Sequence, residues 1–120
     1  MSRGENVSIR RVSTEDLIAL NEEIAALVRA GIPLEVGLRE LGEEMPGRMG
    51  SIASHIGDRL ERGEQLTDIL ASDSHAFPPV WKAVVAAGVK SGHLAAALEG
   101  MARTGRRVAE LRRGVSLALL

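Results

Sequence analysis

The chain has 120 residues, 45% of them hydrophobic, which suffices for one domain around one core and is not a disordered composition. Fifteen basic and sixteen acidic side chains leave a formal charge of −1, so the chain as a whole does not carry the electrostatic footprint of a nucleic-acid binder. The absence of cysteine excludes disulfides, cysteine zinc sites and thiol catalysis, and a single Phe and a single Trp leave the core to Leu, Val, Ile, Ala and Met, a mixture suited to closely packed helices.

Residues 1–12 are polar, carry Arg3, Arg10 and Arg11 without an apolar core of signal-peptide length, and are expected to be loose. Ser13-Thr14-Glu15-Asp16 reads as a helix start, with Ser13 as cap and acids facing the positive end of the helix dipole. Leu17, Leu20, Ile24, Leu27 and Val28 mark one apolar face up to Ala30, where Gly31 stops the helix. Pro33 restarts it, and Leu34, Leu38 and Leu41 carry a second helix to about Glu44. After the break at Pro46-Gly47, Met49, Ile52, Ala53, Ile56 and Leu60 define a third helix that ends near Gly63. Its outward Arg48, Asp58, Arg59, Glu61 and Arg62 read as solvated. Leu66, Ile69 and Leu70 indicate a short fourth helix, followed by a loop at Ser72-Asp73-Ser74-His75.

The stretch from Phe77 to Leu98 organises the rest. Proline is tolerated in a first helical turn, so Pro78-Pro79 opens a fifth helix, whose face is expected to hold Val80, Trp81, Val84, Val85 and Gly88. A corner from Gly88 to Gly92 leads into a sixth helix with Leu94, Leu98, Met101, Gly105 and Val108 at the same period. Six helices and no strand predict an all-α fold, an antiparallel six-helix bundle.

Beyond Arg103 the chain is basic, with Arg106, Arg107, Arg112 and Arg113 against the single acid Glu110, and it closes on the apolar run from Val115 to Leu120. Cations before an apolar run are what the positive-inside rule places at a membrane entry, although six residues fall short of the roughly 20 that a span needs. An ordinary apolar helix end explains the same residues.

Four motifs in order resemble one family. They are Leu17, Leu20, Ile24, then Leu27-Val28-Arg29-Ala30-Gly31-Ile32-Pro33-Leu34; Arg62-Gly63 with Leu66; Phe77-Pro78-Pro79; and Ala87-Gly88 with Ser91-Gly92 and Leu94. Together they look like the type II secretion system F domain, found in the inner-membrane platform proteins of type II secretion and type IV pilus assembly. The resemblance implies a six-helix cytoplasmic domain over 13–114, with 115–120 as the start of a membrane helix cut short. It also implies a scaffold without catalytic activity, sitting at the inner membrane and contacting the secretion or pilus assembly ATPase and other inner-membrane assembly proteins. A homodimer is expected separately, from the small-residue faces of the fifth and sixth helices. Members of the family commonly carry Glu where this chain has Val89, and a calcium site in some of them depends on such acids. Without that carboxylate no metal is expected, and no cofactor.

Taken residue by residue, Gly31, Pro33, Gly63, Phe77, Pro78, Gly88, Ser91, Gly92 and Leu94 read as structural. Ser91 is expected to cap the last helix, since no Gly-x-Ser-x-Gly elbow surrounds it. His55, His75 and His93 lack the spacing of a metal pair. Phe77 and Trp81, one turn apart, form an aromatic anchor. Glu22-Glu23 and Glu43-Glu44 read as solvated helix ends, with Glu43 and Glu44 the candidate partner-binding pair. Arg106, Arg107, Arg112 and Arg113 are the candidate membrane-proximal cations. The alternative is a soluble helical adaptor or regulator that binds nucleic acid through the Arg-rich last helix. No nucleophile, base and orienting group combine into a catalytic constellation.

Overall fold

The computed structural model describes residues 11–72 and 76–118. These form six helices: α1 (Thr14–Ala30), α2 (Leu34–Glu44), α3 (Gly47–Glu61), α4 (Leu66–Ser72), α5 (Pro79–Ser91) and α6 (Leu94–Ala118). Among the described residues there is no strand, so the chain is all-α. The side chains of Ala109 and of the residues after Gly114 lie outside the description, as do Asp73 to His75, Leu119 and Leu120. The apolar run expected to begin a membrane helix therefore continues α6 as far as Ala118. No helix among the described residues is long and apolar enough to cross a membrane.

Local signals set the helix ends. The Ser13 hydroxyl accepts the Asp16 N–H at 3.1 Å, which satisfies one of the donors a helix start leaves open. At the other end of α1, Gly31 takes φ 72° and the N–H groups of Gly31 and Ile32 turn back to the carbonyls of Val28 and Leu27. Gly92 closes α5 in the same way, at φ 77°, with the N–H groups of Gly92 and His93 reaching Val89 and Gly88. A residue with a Cβ is strained at that left-handed φ, so glycine at both positions follows from the paired backbone bonds. Gly63 repeats the arrangement after α3.

The helices pair as neighbours in two groups. α2 packs chiefly on α3, and α1 on α6, with α5 against the start of α6 and α4 between α3 and α5. Contacts of Arg29 with Glu99 and of Arg106 with Glu22 show α1 and α6 running in opposite directions. The shared core contains Leu20, Ile24, Leu38, Ile52, Ile56, Ile69, Leu70, Trp81, Val85 and Leu98, all essentially inaccessible. Burying each aliphatic side chain of this set contributes about 1.5–3 kcal/mol, which holds the helices together around the single aromatic pair.

Several expectations are corrected. Val12 does not belong to a loose segment: it is buried, and its N–H donates to the Ala76 carbonyl at 2.8 Å, while Arg48 donates to the Arg11 carbonyl. Residues 1–10 lie outside the described residues. Val80 is 65% exposed and Val108 is 42% exposed, so neither lies on the face that helical spacing gave it. Arg59 is not a solvated side chain. It is half-buried, donating to Glu64 at 3.0 Å and to the Ser72 hydroxyl at 2.6 Å, and so holds the α3–α4 turn against the end of α4.

Candidate functional site

A polar node lies inside the domain. Asn21, on α1, is 2% exposed and stands within the apolar stripe between Leu17 and Ile24. Its Nδ2 donates to the Leu98 carbonyl of α6 at 2.8 Å, and its Oδ1 accepts the indole N–H of Trp81 from α5. Both halves of the carboxamide are thus used, and three helices are joined at one side chain. Phe77 stacks on Trp81 with ring centroids 5.2 Å apart and a 31° tilt, completing the aromatic anchor. Reading the sequence missed Asn21. The available signal was a polar residue on a stripe that is otherwise apolar.

The motif residues of the second corner serve packing. A methyl placed on Gly88 would lie 2.9 Å from Leu94 Cα and 3.2 Å from Ala97 Cβ, so α5 and α6 meet there with no room for a side chain. Ser91 does not cap α6. It is the last residue of α5, its hydroxyl donates back to the Gly88 carbonyl at 3.3 Å, and the N-cap position falls to His93, whose carbonyl accepts the Ala97 N–H. Pro78 precedes α5 with extended backbone, and Pro79 occupies its first turn. Pro33 holds the equivalent place before α2.

The outer surface is organised by ion pairs. Glu99 takes a two-pronged contact from Arg29, and this hydrogen bond, reinforced by the charge itself, holds the Glu99 carboxyl below its ordinary range and the Arg29 guanidinium above its own. The hydrogen bond from Arg59 lowers the Glu64 carboxyl in the same way. Arg106 contacts Glu22 at 2.9 Å and Arg39 reaches Asp58 and Glu61. Glu22 is therefore a mid-helix partner of α6 and not a helix end. Between α1 and α6 runs an open groove of about 550 Å³, floored by Ala25, Ala26 and Ala102 and rimmed by Glu22, Arg29, Glu99, Arg103 and Arg106.

The remaining candidates are apart from these contacts. Glu43 and Glu44 are exposed in the last turn of α2, a turn without a basic residue. Acids at the negative end of a helix dipole are locally unfavourable, so their presence there has no origin in the stability of α2. Arg107, Arg112 and Arg113 are exposed on the distal half of α6. Of the cations grouped in sequence, Arg106 is the one paired with the bundle among the described residues. Val89, in the place of the acid the family resemblance would supply, is 46% exposed. Among the described residues no three His, Asp or Glu side chains converge as metal ligands would. His75 lies outside the described residues.

The arrangement is that of a helical packing domain whose polar chemistry joins helices to one another and whose distinctive groups lie on its outer surface. Comparison with known proteins makes this specific. The family model for the type II secretion system (T2SS), protein F, matches residues 22–120, and the chain belongs to that family. It is 36% identical over 104 residues to the type II secretion system protein F of Vibrio cholerae serotype O1, covering 84% of this chain and 25% of the relative. The protein of the same name from Aeromonas hydrophila is 33% identical, covering 78% and 24%. That from Pseudomonas aeruginosa is 32% identical, covering 92% and 28%. The chain spans about a quarter of the length of these curated relatives.

Proposed function

We propose that the chain is a cytoplasmic domain of an inner-membrane platform protein of a type II secretion or type IV pilus assembly system, acting as a non-catalytic scaffold. The observation that carries this reading is the family match, which runs from the middle of α1 through α6 and includes the corners that build the fold. Helices joined by tight glycine corners make a rigid block, which suits a part that transmits contact between other components. In this reading α6 leads toward the membrane, and the arginines of its distal half lie on the cytoplasmic side.

Two surfaces are assigned to partners. Glu43 and Glu44 at the end of α2 meet the assembly ATPase, where a basic partner surface would complement them. A second copy packs on the outer side of α5, where Val80, Ala83 and Ala87 are exposed at helical spacing and permit close approach of another helix. The test is co-purification of the domain with the assembly ATPase of its own system, comparing the natural chain with Glu43→Lys/Glu44→Lys. Retention by the natural chain and loss in the charge-reversed one is expected. Equal retention would remove this surface, and absence of binding by both would count against the ATPase contact.

A further inference from the structure

The distal half of α6 is unlike the rest of the surface. Among the described side chains, the most distal contacts of α6 with α1 are the Arg106–Glu22 ion pair and the packing of Ile18 beside Gly105. From Arg106 to Gly114 every residue whose side chain is described is exposed, including Val108 at 42% and Leu111 at 63%. With about 100° between successive helical residues, Val108 and Leu111 fall about 60° apart on one side of the helix. Arg107 lies about 40° beyond Leu111, and Arg112 about 40° beyond Val108. A narrow apolar strip is thus bordered on both flanks by a guanidinium on a long apolar stem.

We infer that this half of α6 docks in the plane of an anionic lipid surface, with Val108 and Leu111 entering the acyl boundary and Arg107 and Arg112 binding headgroup phosphates on either side. The inference rests on the membrane location proposed above, and adds that the domain itself recognises lipid, without any spanning segment. Arginine stems lie along apolar surface while their charged ends stay at the phosphate level, so the flanking positions are those an interfacial helix requires. Charge complementarity favours the same occupant: Arg107, Arg112 and Arg113 face solvent with Glu110 as the one acid among them. A second protein copy would need to bury about 800 Å² per partner, more than a strip of two side chains supplies. Nucleic acid would leave Val108 and Leu111 between phosphates, with nothing to receive them.

The test uses the 120-residue chain with vesicles of phosphatidylcholine alone and vesicles containing a third phosphatidylglycerol, measured by co-sedimentation at two salt concentrations. Binding to the anionic vesicles, weakened by salt, is expected. R107Q/R112Q should lower partitioning by about thirtyfold, at roughly fivefold per arginine. V108S/L111S should lower it at least tenfold, because two apolar side chains no longer enter the boundary. R106Q, which alters an arginine already held by Glu22, should bind within about twofold of the natural chain. Unchanged circular dichroism in all three variants establishes that the fold is kept. Binding that ignores V108S/L111S, or equal binding to neutral vesicles, would overturn the inference. So would salt-sensitive binding to duplex DNA with none to vesicles, or self-association abolished by V108S/L111S. If the full-length protein sediments with membranes while the 120-residue chain ignores anionic vesicles, this inference falls and the platform reading stands. A full-length protein found only in the soluble fraction would remove both.

Discussion

Replacing Asn21 by Leu isolates the interior polar node. The substitution keeps a side chain of similar size but removes the acceptor for the Trp81 indole and the donor to the Leu98 carbonyl. The Leu98 carbonyl retains its place in the α6 ladder, so its loss is minor. The Trp81 N–H has no such substitute, because Trp81 is wholly buried and the indole nitrogen has one donor only. Leaving that donor unpaired costs about 1–3 kcal/mol, or about 4–12 °C in Tm for a domain of this size. Thermal and urea unfolding followed by far-UV circular dichroism measures the effect, with emission from Trp81, the sole tryptophan, as a second probe. Trp81→Phe removes the donor itself, so the double variant Asn21→Leu/Trp81→Phe should lose less than the sum of the singles, with a coupling of about 1 kcal/mol or more. Strict additivity, or Asn21→Leu within about 0.5 kcal/mol of the natural chain, would show that the node does not hold the helices as described.

One substitution type made at two glycines should give opposite signs. Gly88→Ala places a methyl 2.9 Å from the Leu94 backbone and should cost about 1–3 kcal/mol in urea unfolding, whereas Gly105→Ala meets Ile18 at an ordinary 3.6 Å and should gain about 0.5–1 kcal/mol from helix propensity. Equal effects at the two sites would contradict the close approach of α5 and α6. Acid should weaken the α1–α6 tie. The Glu99 carboxyl is depressed in the folded state by Arg29, so its contribution is present above the unfolded-state carboxylate pKa and is lost as pH falls through the lower folded value. The stability difference between the natural chain and Arg29→Gln should therefore shrink on acidification, and a difference constant with pH would refute this account.

Helix existence was legible because each break carries its own chemistry. Gly31, Gly63 and Gly92 are needed for the positive φ that closes a helix, Pro33 and Pro79 stand at helix starts, and the apolar residues between them recur every three or four positions. What periodicity could not supply was which side of each helix meets a neighbour. Val80 and Val108 fit the pattern yet face outward, because spacing marks an apolar stripe without saying which of its members a neighbouring helix reaches. Asn21 and Arg59 were read, or passed over, by residue type. Their roles depend on Trp81, Leu98, Glu64 and Ser72, partners set by tertiary packing and distant in sequence except for Glu64. Ser91 was misplaced by the resolution of a single turn: the helix it was expected to start begins after Gly92, so its hydroxyl belongs to the helix that ends there. The surface pairs across α1 and α6 were invisible for a similar reason, since Arg29 and Glu99 are 70 residues apart.

α6 therefore has two halves with different physics in one continuous helix. Its first half is fixed axially against α1 by three independent contacts, Asn21 to the Leu98 carbonyl, Arg29 to Glu99 and Glu22 to Arg106. Among the described side chains its second half shows no comparable contact, and a helical segment of a dozen residues is marginal in water by itself. It persists because helix propagation from an already nucleated turn is far easier than starting anew. Load applied to the distal half is consequently carried into the register of α6 on α1. Exposed ion pairs resist such sliding weakly, because water and salt screen them. The buried carboxamide resists it more, since a slip of α6 by one residue would separate Asn21 from the Leu98 carbonyl inside the core. The residue that sequence pattern concealed is thus the one that couples the exposed end of α6 to the centre of the domain.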